Sequence, residues 1–214
     1  MEIKKKTEEK CLIFFALFQL SSATVFMQFM KKYNANANNY YDFILSLCFY
    51  ILVFIIPIIV YLILSEKVSV FNYLKLRSNI LSGILIGILI SLFIILIFLI
   101  KNKFMITNGL NLKRDAYLLI GRILVGPLEE IPFRGFYLQK LKNFHSFWKA
   151  NFISSVLFAS MHITEIFNGQ KNIILSLVII FVIGLWMGYI FEKTKSLWSV
   201  SIVHSVYNLC IYII

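Results

Sequence analysis

The chain has 214 residues, of which 60% are hydrophobic, 16% aromatic and 14% charged, and its mean hydropathy is +0.83. That composition excludes an ordinary soluble domain and points to an all-α, polytopic transmembrane helix bundle. The net charge of +11 does not mark a nucleic-acid binder, because Lys and Arg collect between apolar runs; anionic lipid headgroups are the expected partner of those basic loops.

In chain order, charge-free runs occur at Cys11–Met30, Phe43–Leu64, Ser78–Ile100, Asn172–Phe191 and Ser196–Ile214. Each approaches the ~20 residues that cross a bilayer core as a helix. The opening "MEIKKK" is basic, but the run behind it is longer than the core of a cleaved signal peptide and reads as a retained first span. The "NANANNYY" segment at 34–41 is a polar loop, and Val68–Arg77 is an amphipathic connector suited to the interface. Two less pure spans, about Ala116–Leu141 and Phe147–Thr164, complete a bundle of about seven in a single integral membrane domain, 1–214. Cys11, Cys48 and Cys210 lie in apolar runs without CxxC spacing and read as small hydrophobes.

With the N-terminus in the cytoplasm, twelve basic residues fall inside (Lys4, Lys5, Lys6, Lys10, Lys67, Lys75, Arg77, Lys140, Lys142, Lys149, Lys193 and Lys195). Seven fall outside (Lys31, Lys32, Lys101, Lys103, Lys113, Arg114 and Lys171). The excess favours a multi-pass protein of the cell membrane with a cytoplasmic N-terminus.

A set of polar residues lies inside the spans of the C-terminal half: Arg122, Glu129, Glu130, Arg134, His162, His204 and Asn208. An ionisable group at mid-bilayer costs at least ~2.5–3.5 kcal/mol on insertion scales, so such groups face one another or a water-filled cavity. Positions four apart share a helix face. Glu130 and Arg134 are so spaced, as are Phe158 and His162, and His204 and Asn208. Glu129 points about a quarter turn from Glu130. Pro127 and Pro132 each remove a backbone donor, so the helix is expected to break before the carboxylates. Glu129 and Glu130 then start the resumed helix, where its dipole favours anions, as the floor of an aqueous cavity.

A carboxylate beside an imidazole can take a proton from water and aim the hydroxide at a carbonyl. An imidazole and a carboxamide on one face can donate to the oxyanion that forms. The set therefore suits a peptide hydrolase without a serine or cysteine nucleophile.

The residues "EEIPFRG" (129–135), "FASMH" (158–162) and "HSVYN" (204–208) fit the motifs EExxxR, FxxxH and HxxxN. In this order, on three hydrophobic segments, they resemble the CAAX protease and bacteriocin-processing (CPBP, or Abi) family of intramembrane endopeptidases. The resemblance covers about 116–212, and the first three spans contribute hydrophobicity. It implies that Glu129 activates water with help from His162, and that His204 and Asn208 form the oxyanion hole. Glu130, Arg134 and Phe158 take structural or substrate-orienting parts. Pro132 departs from the family pattern, which more often has a helix-friendly apolar residue there.

No cofactor is expected; the alternative is zinc on Glu129, His162 and His204. His145 reads as an interfacial side chain. The implied partner is a membrane-embedded or membrane-associated peptide. Ile-, Asn- and Lys-rich usage suits a low-GC Gram-positive bacterium, where family members serve bacteriocin self-immunity or maturation of secreted peptides. Two other classes stand beside this reading: a non-catalytic bacteriocin immunity protein, and an ion-coupled carrier, which the lack of an inverted repeat disfavours.

Overall fold

The computed structural model describes residues 2–32, 40–103, 112–163 and 172–213. Helix α1 (Glu2–Lys32) is followed by α2 (Tyr40–Tyr50), which passes through a π-helical turn, π1 (Ile51–Ile55), into α3 (Ile56–Leu64). The short α4 (Val70–Tyr73) leads to α5 (Ile80–Lys101). Helix α6 (Leu112–Glu130) runs without interruption into π2 (Ile131–Leu138) and α7 (Gln139–Leu141). The chain ends with α8 (Phe147–Met161), α9 (Ile173–Thr194) and α10 (Leu197–Ile213).

Among the described residues, the short α4 aside, these make seven helical stretches where about seven spans are expected. Among the described residues, Lys6–Met30, Phe43–Leu64, Ile80–Lys101 and Ile173–Thr194 are long and apolar enough to cross a membrane on those grounds alone. The others fall short by length, as in α8 and α10, or by the charges of α6 and π2. Residues 34–39 of the expected polar loop and Thr164, the expected end of the fifth span, lie outside the described residues.

The three prolines explain the local geometry. Proline at position i leaves the carbonyl of i−4 without its helical donor. For Pro127 that carbonyl belongs to Ile123, and the Ser205 hydroxyl of α10 donates to it at 2.6 Å. For Pro57 it belongs to Val53, and Gln19 Nε2 of α1 donates to it at 2.7 Å. Pro132 sits at the second position of π2, where the wider turn admits the ring without ending the helix. The departure from the family pattern at 132 is therefore absorbed by a π-helix. The expected break at Pro127 does not occur, because a neighbouring helix supplies the missing donor.

Small residues set how close the helices come, as in other membrane bundles. Gly83 and Gly87 of α5 face Ser196 and Ser199 at the start of α10, and a methyl group on Gly87 would lie 3.0 Å from the Ser199 carbonyl. Gly126 of α6 faces Ser201 and Ser205, with the Ser201 carbonyl 2.7 Å from where a methyl would sit. Gly184 and Gly188 of α9 admit Ser155 and Asn151 of α8 in the same way. Helix α10 is thereby clamped between α5 and α6, and α8 lies against α9 and π2. Every residue from Pro132 to Leu138 is buried, which makes π2 the axis of the core. Lipid-facing side chains such as Phe14, Leu81, Leu89 and Ile174 are exposed on the outer helices.

One end of the bundle is laced by ion pairs. Lys140 Nζ lies 2.5 Å from Glu66 Oε1, Lys142 Nζ 2.5 Å from Glu192 Oε2, and His145 Nε2 2.7 Å from Glu9 Oε1. The positive-inside reading assigns all of these segments to one side, and the fold brings them together. The connector after α3 is tied down by the Trp198 indole donating to Leu76 O at 2.9 Å and Gln139 Nε2 donating to Tyr73 O at 2.7 Å.

Candidate active site

The site assembles where the end of α6 and π2 meet α8, α9 and α10. Its centre is Glu130, whose side chain is fully buried. Arg134 donates from Nη1 to Glu130 Oε1 at 3.1 Å and from Nη2 to the Gly184 carbonyl of α9 at 3.0 Å. His204 Nδ1 lies 2.8 Å from the same Glu130 oxygen. A carboxylate held by an arginine is an acceptor, so His204 donates from Nδ1. That leaves Nε2 as the ring atom facing Glu129, 3.7 Å from its Oε2.

Phe158 is the second organising side chain, itself 3% exposed. Its ring takes the edges of His162 at 5.4 Å and His204 at 5.8 Å between centroids. The Arg134 guanidinium carbon stands 4.4 Å from the same centroid, a cation–π contact in a desolvated setting. One ring thus fixes both imidazoles and the arginine. The FxxxH spacing reveals only the contact with His162.

Adjacent carboxylates have different surroundings. Glu130 is locked into the protein, whereas Glu129 lines a cavity of about 270 Å³ between α2 and α6. Glu129 Oε2 is buried and accepts no hydrogen bond. The Tyr50 hydroxyl, on the opposite wall of the cavity, is likewise buried without a hydrogen-bond partner. Oε2 and the imidazole Nε2, 3.7 Å apart, can be bridged by one water through two hydrogen bonds of about 2.8 Å. Asn208, one turn beyond His204 on α10, is half-buried.

Several sequence expectations change here. Glu129 and Glu130 end α6 rather than start a resumed helix, and the backbone continues into π2. No helix N-terminus stabilises them; Arg134 and His204 do so for Glu130. His204, from the most distant of the three motifs, lies beside both carboxylates. The first spans contribute more than hydrophobicity. Gln19 of α1 is buried, donates to Val53 O and accepts from the Tyr137 hydroxyl of π2 at 2.5 Å. Tyr50 of α2 reaches the Glu129 cavity. A lone Gln in an apolar run and an aromatic residue preceding a proline-associated turn are weak signals, which is why motif reasoning misses both. Arg122 also lines that cavity, and its guanidinium carbon lies 5.7 Å from the Tyr212 ring centroid.

Among the described residues, no group of three or more His, Cys, Asp or Glu side chains is arranged to hold a metal ion. His204 Nδ1, engaged by Glu130, leaves Nε2 facing Glu129 Oε2 at 3.7 Å.

A family model described as type II CAAX prenyl endopeptidase Rce1-like matches residues 114–210. The matched segment contains all three motifs and α6 to α10 almost entire. No curated protein and no solved structure matches the chain.

Proposed function

We propose, from the similarity of residues 114–210 to the type II CAAX prenyl endopeptidase Rce1-like family, how this multi-pass membrane protein works as a peptide hydrolase. Glu129 is the base. It takes a proton from a water held between Oε2 and the imidazoles, His162 assisting, and the hydroxide adds to the scissile carbonyl carbon. The carbonyl π electrons move to oxygen. His204 Nε2–H, with the ring as imidazolium on Glu130, and the Asn208 amide donate to that oxyanion. The proton on Glu129 passes to the leaving nitrogen as the C–N bond breaks and the oxyanion re-forms the carbonyl, giving one carboxylic acid and one amine. Glu130, Arg134 and Phe158 hold the imidazoles in register.

The observation that carries this reading is the free lone pair of Glu129: a buried, unbonded carboxylate oxygen on a cavity, 3.7 Å from an imidazole nitrogen. No metal is invoked. The substrate is a membrane-embedded or membrane-associated peptide, and the setting we infer is bacteriocin self-immunity or maturation of a secreted peptide, supported by residue usage alone. The test is cleavage of a peptide library by purified protein in lipid nanodiscs. Glu129→Ala and His162→Ala should each reduce cleavage to background while membrane insertion and melting temperature persist. Wild-type cleavage in both variants would overturn the roles given to Glu129 and His162, and a wild-type protein that cleaves no peptide would favour the non-catalytic immunity protein.

A further inference from the structure

Two buried side-chain oxygens on the α2–α6 cavity lack a hydrogen-bond partner, Glu129 Oε2 and the Tyr50 hydroxyl. The mechanism above uses the first and leaves the second idle. The Tyr50 ring stacks on the buried Phe54 ring with centroids 4.6 Å apart, so the ring is held while its hydroxyl bonds to nothing. A neutral phenol donates one hydrogen bond, and burying it unpaired costs stability. On a cavity, such a group calls for an acceptor from outside the protein.

The geometry sets which acceptor that is. Helices α2 and α6 belong to the second and fourth helical stretches, so they cross in the same direction. The Phe43 ring of α2 lies 3.0 Å from where a methyl on Gly121 of α6 would sit. Tyr50 is seven residues beyond Phe43 and Glu129 eight beyond Gly121, so the two come level within about 1.5 Å along the helix axes. Gly121 faces α2, whereas Gly126 faces Ser201 and Ser205 of α10. At about 100° per residue these directions are about 140° apart round α6, and Glu129 points between them, about 80° from the first and about 60° from the second. A peptide lying over Glu129 therefore has His204 and Asn208 of α10 on one side and Tyr50 of α2 on the other. Successive carbonyls of an extended peptide point to opposite sides. With the scissile carbonyl turned to α10, the carbonyl of the adjoining residue turns to α2. We propose that Tyr50 is a substrate-binding residue whose hydroxyl donates to the backbone carbonyl adjoining the scissile one. The contact requires an extended substrate and is blind to its side chains. This inference rests on the roles given above to Glu129 and to the α10 pair.

The test uses the full-length protein in lipid nanodiscs and the library peptide that the wild type cuts fastest. That peptide is resynthesised with a thioamide, a poor acceptor, at the bond before or at the bond after the scissile one. Tyr50→Phe should raise KM for the unmodified peptide about tenfold. Its kcat should stay nearly unchanged, because the contact exists in the ground state and the transition state alike. A thioamide at one of the two bonds should raise the wild-type KM by a similar factor, which identifies the carbonyl. The same thioamide should have no further effect in Tyr50→Phe, since the two changes remove one interaction. The lost hydroxyl has no partner in the protein, so the melting temperature of Tyr50→Phe should not fall. An unchanged KM in Tyr50→Phe, or thioamide effects of equal size in both proteins, would overturn the proposal and leave Glu129 untouched. A fall in kcat at constant KM would overturn it too, by placing Tyr50 among the groups that act only in the transition state. A lower melting temperature would overturn it by revealing a structural bond. Full cutting by Glu129→Ala would instead overturn the base assignment on which the proposal stands, and a wild-type protein that cuts no peptide would remove both.

Discussion

Helices α1 to α5 and helices α6 to α10 occupy comparable lengths of chain, yet every charged or imidazole side chain that is buried among the described residues, Glu130, Arg134, Lys140 and His204, belongs to the second set. The first set buries hydrophobic residues and two polar side chains, Gln19 and Ser91. The second set keeps its charges because each has a partner within reach: Arg134 on Glu130, His204 on Glu130, Lys140 on Glu66. The first set instead supplies a wall, through Tyr50, and a brace, through Gln19. A membrane hydrolase can thus divide its labour, concentrating electrostatics in one half and letting the other close the cavity.

Removing the central ion pair should break this division most severely. Arg134→Ala leaves Glu130 in an apolar site without its arginine, and stranding a buried charge costs about 3–5 kcal/mol. The expected outcome is loss of folded protein in detergent and of peptide cleavage, read by thermal melting and turnover on the same preparation. A variant with normal melting but lost turnover would assign Arg134 to substrate binding instead.

An intermediate effect is expected from the brace. Gln19→Leu strips the Val53 carbonyl and the Tyr137 hydroxyl of their partner, and a buried unsatisfied group costs about 1–3 kcal/mol. Melting temperature should fall, and adding Tyr137→Phe should recover part of the loss by removing one of the stranded groups. An unchanged melting temperature in Gln19→Leu would show that α1 only fills space.

The smallest effect belongs to the ion pairs at the end of the bundle. Burial pushes the Glu66 carboxyl up, but hydrogen bonds from Lys140 and Tyr61 outweigh it and hold it below its ordinary value. A depressed folded value contributes stability above the unfolded carboxyl pKa of about 4.3, and the contribution disappears as pH falls through the folded value. Melting temperature should therefore drop on acidification below about pH 4.3, and Glu66→Gln should drop less over the same range. Equal acid sensitivity in both proteins would place the acid-labile group elsewhere.

Much of the site was legible before folding. The apolar runs locate the helices, because a bilayer tolerates only segments that satisfy their own backbone. The four-residue offsets join Glu130 to Arg134 and Phe158 to His162, since helical periodicity is a property of one segment at a time. Adjacent Glu129 and Glu130 had to diverge, and they do, one into the cavity and one into the core.

What sequence by itself could not decide were relations between segments. Nothing within α6 tells that Ser205 will take the carbonyl Pro127 releases, so a break was expected where a continuous helix runs on into π2. Nothing in HSVYN tells that His204 will share an oxygen of Glu130 with Arg134. The approach distances come from Gly126, Gly184 and Gly188 against serine and asparagine on facing helices, and a glycine carries no hydropathy signal of its pairing. Tyr50 and Gln19 join the site's surroundings only because α1 and α2 pack where they do. A helix face is encoded by local spacing, whereas its partner is selected by close packing among all the helices at once.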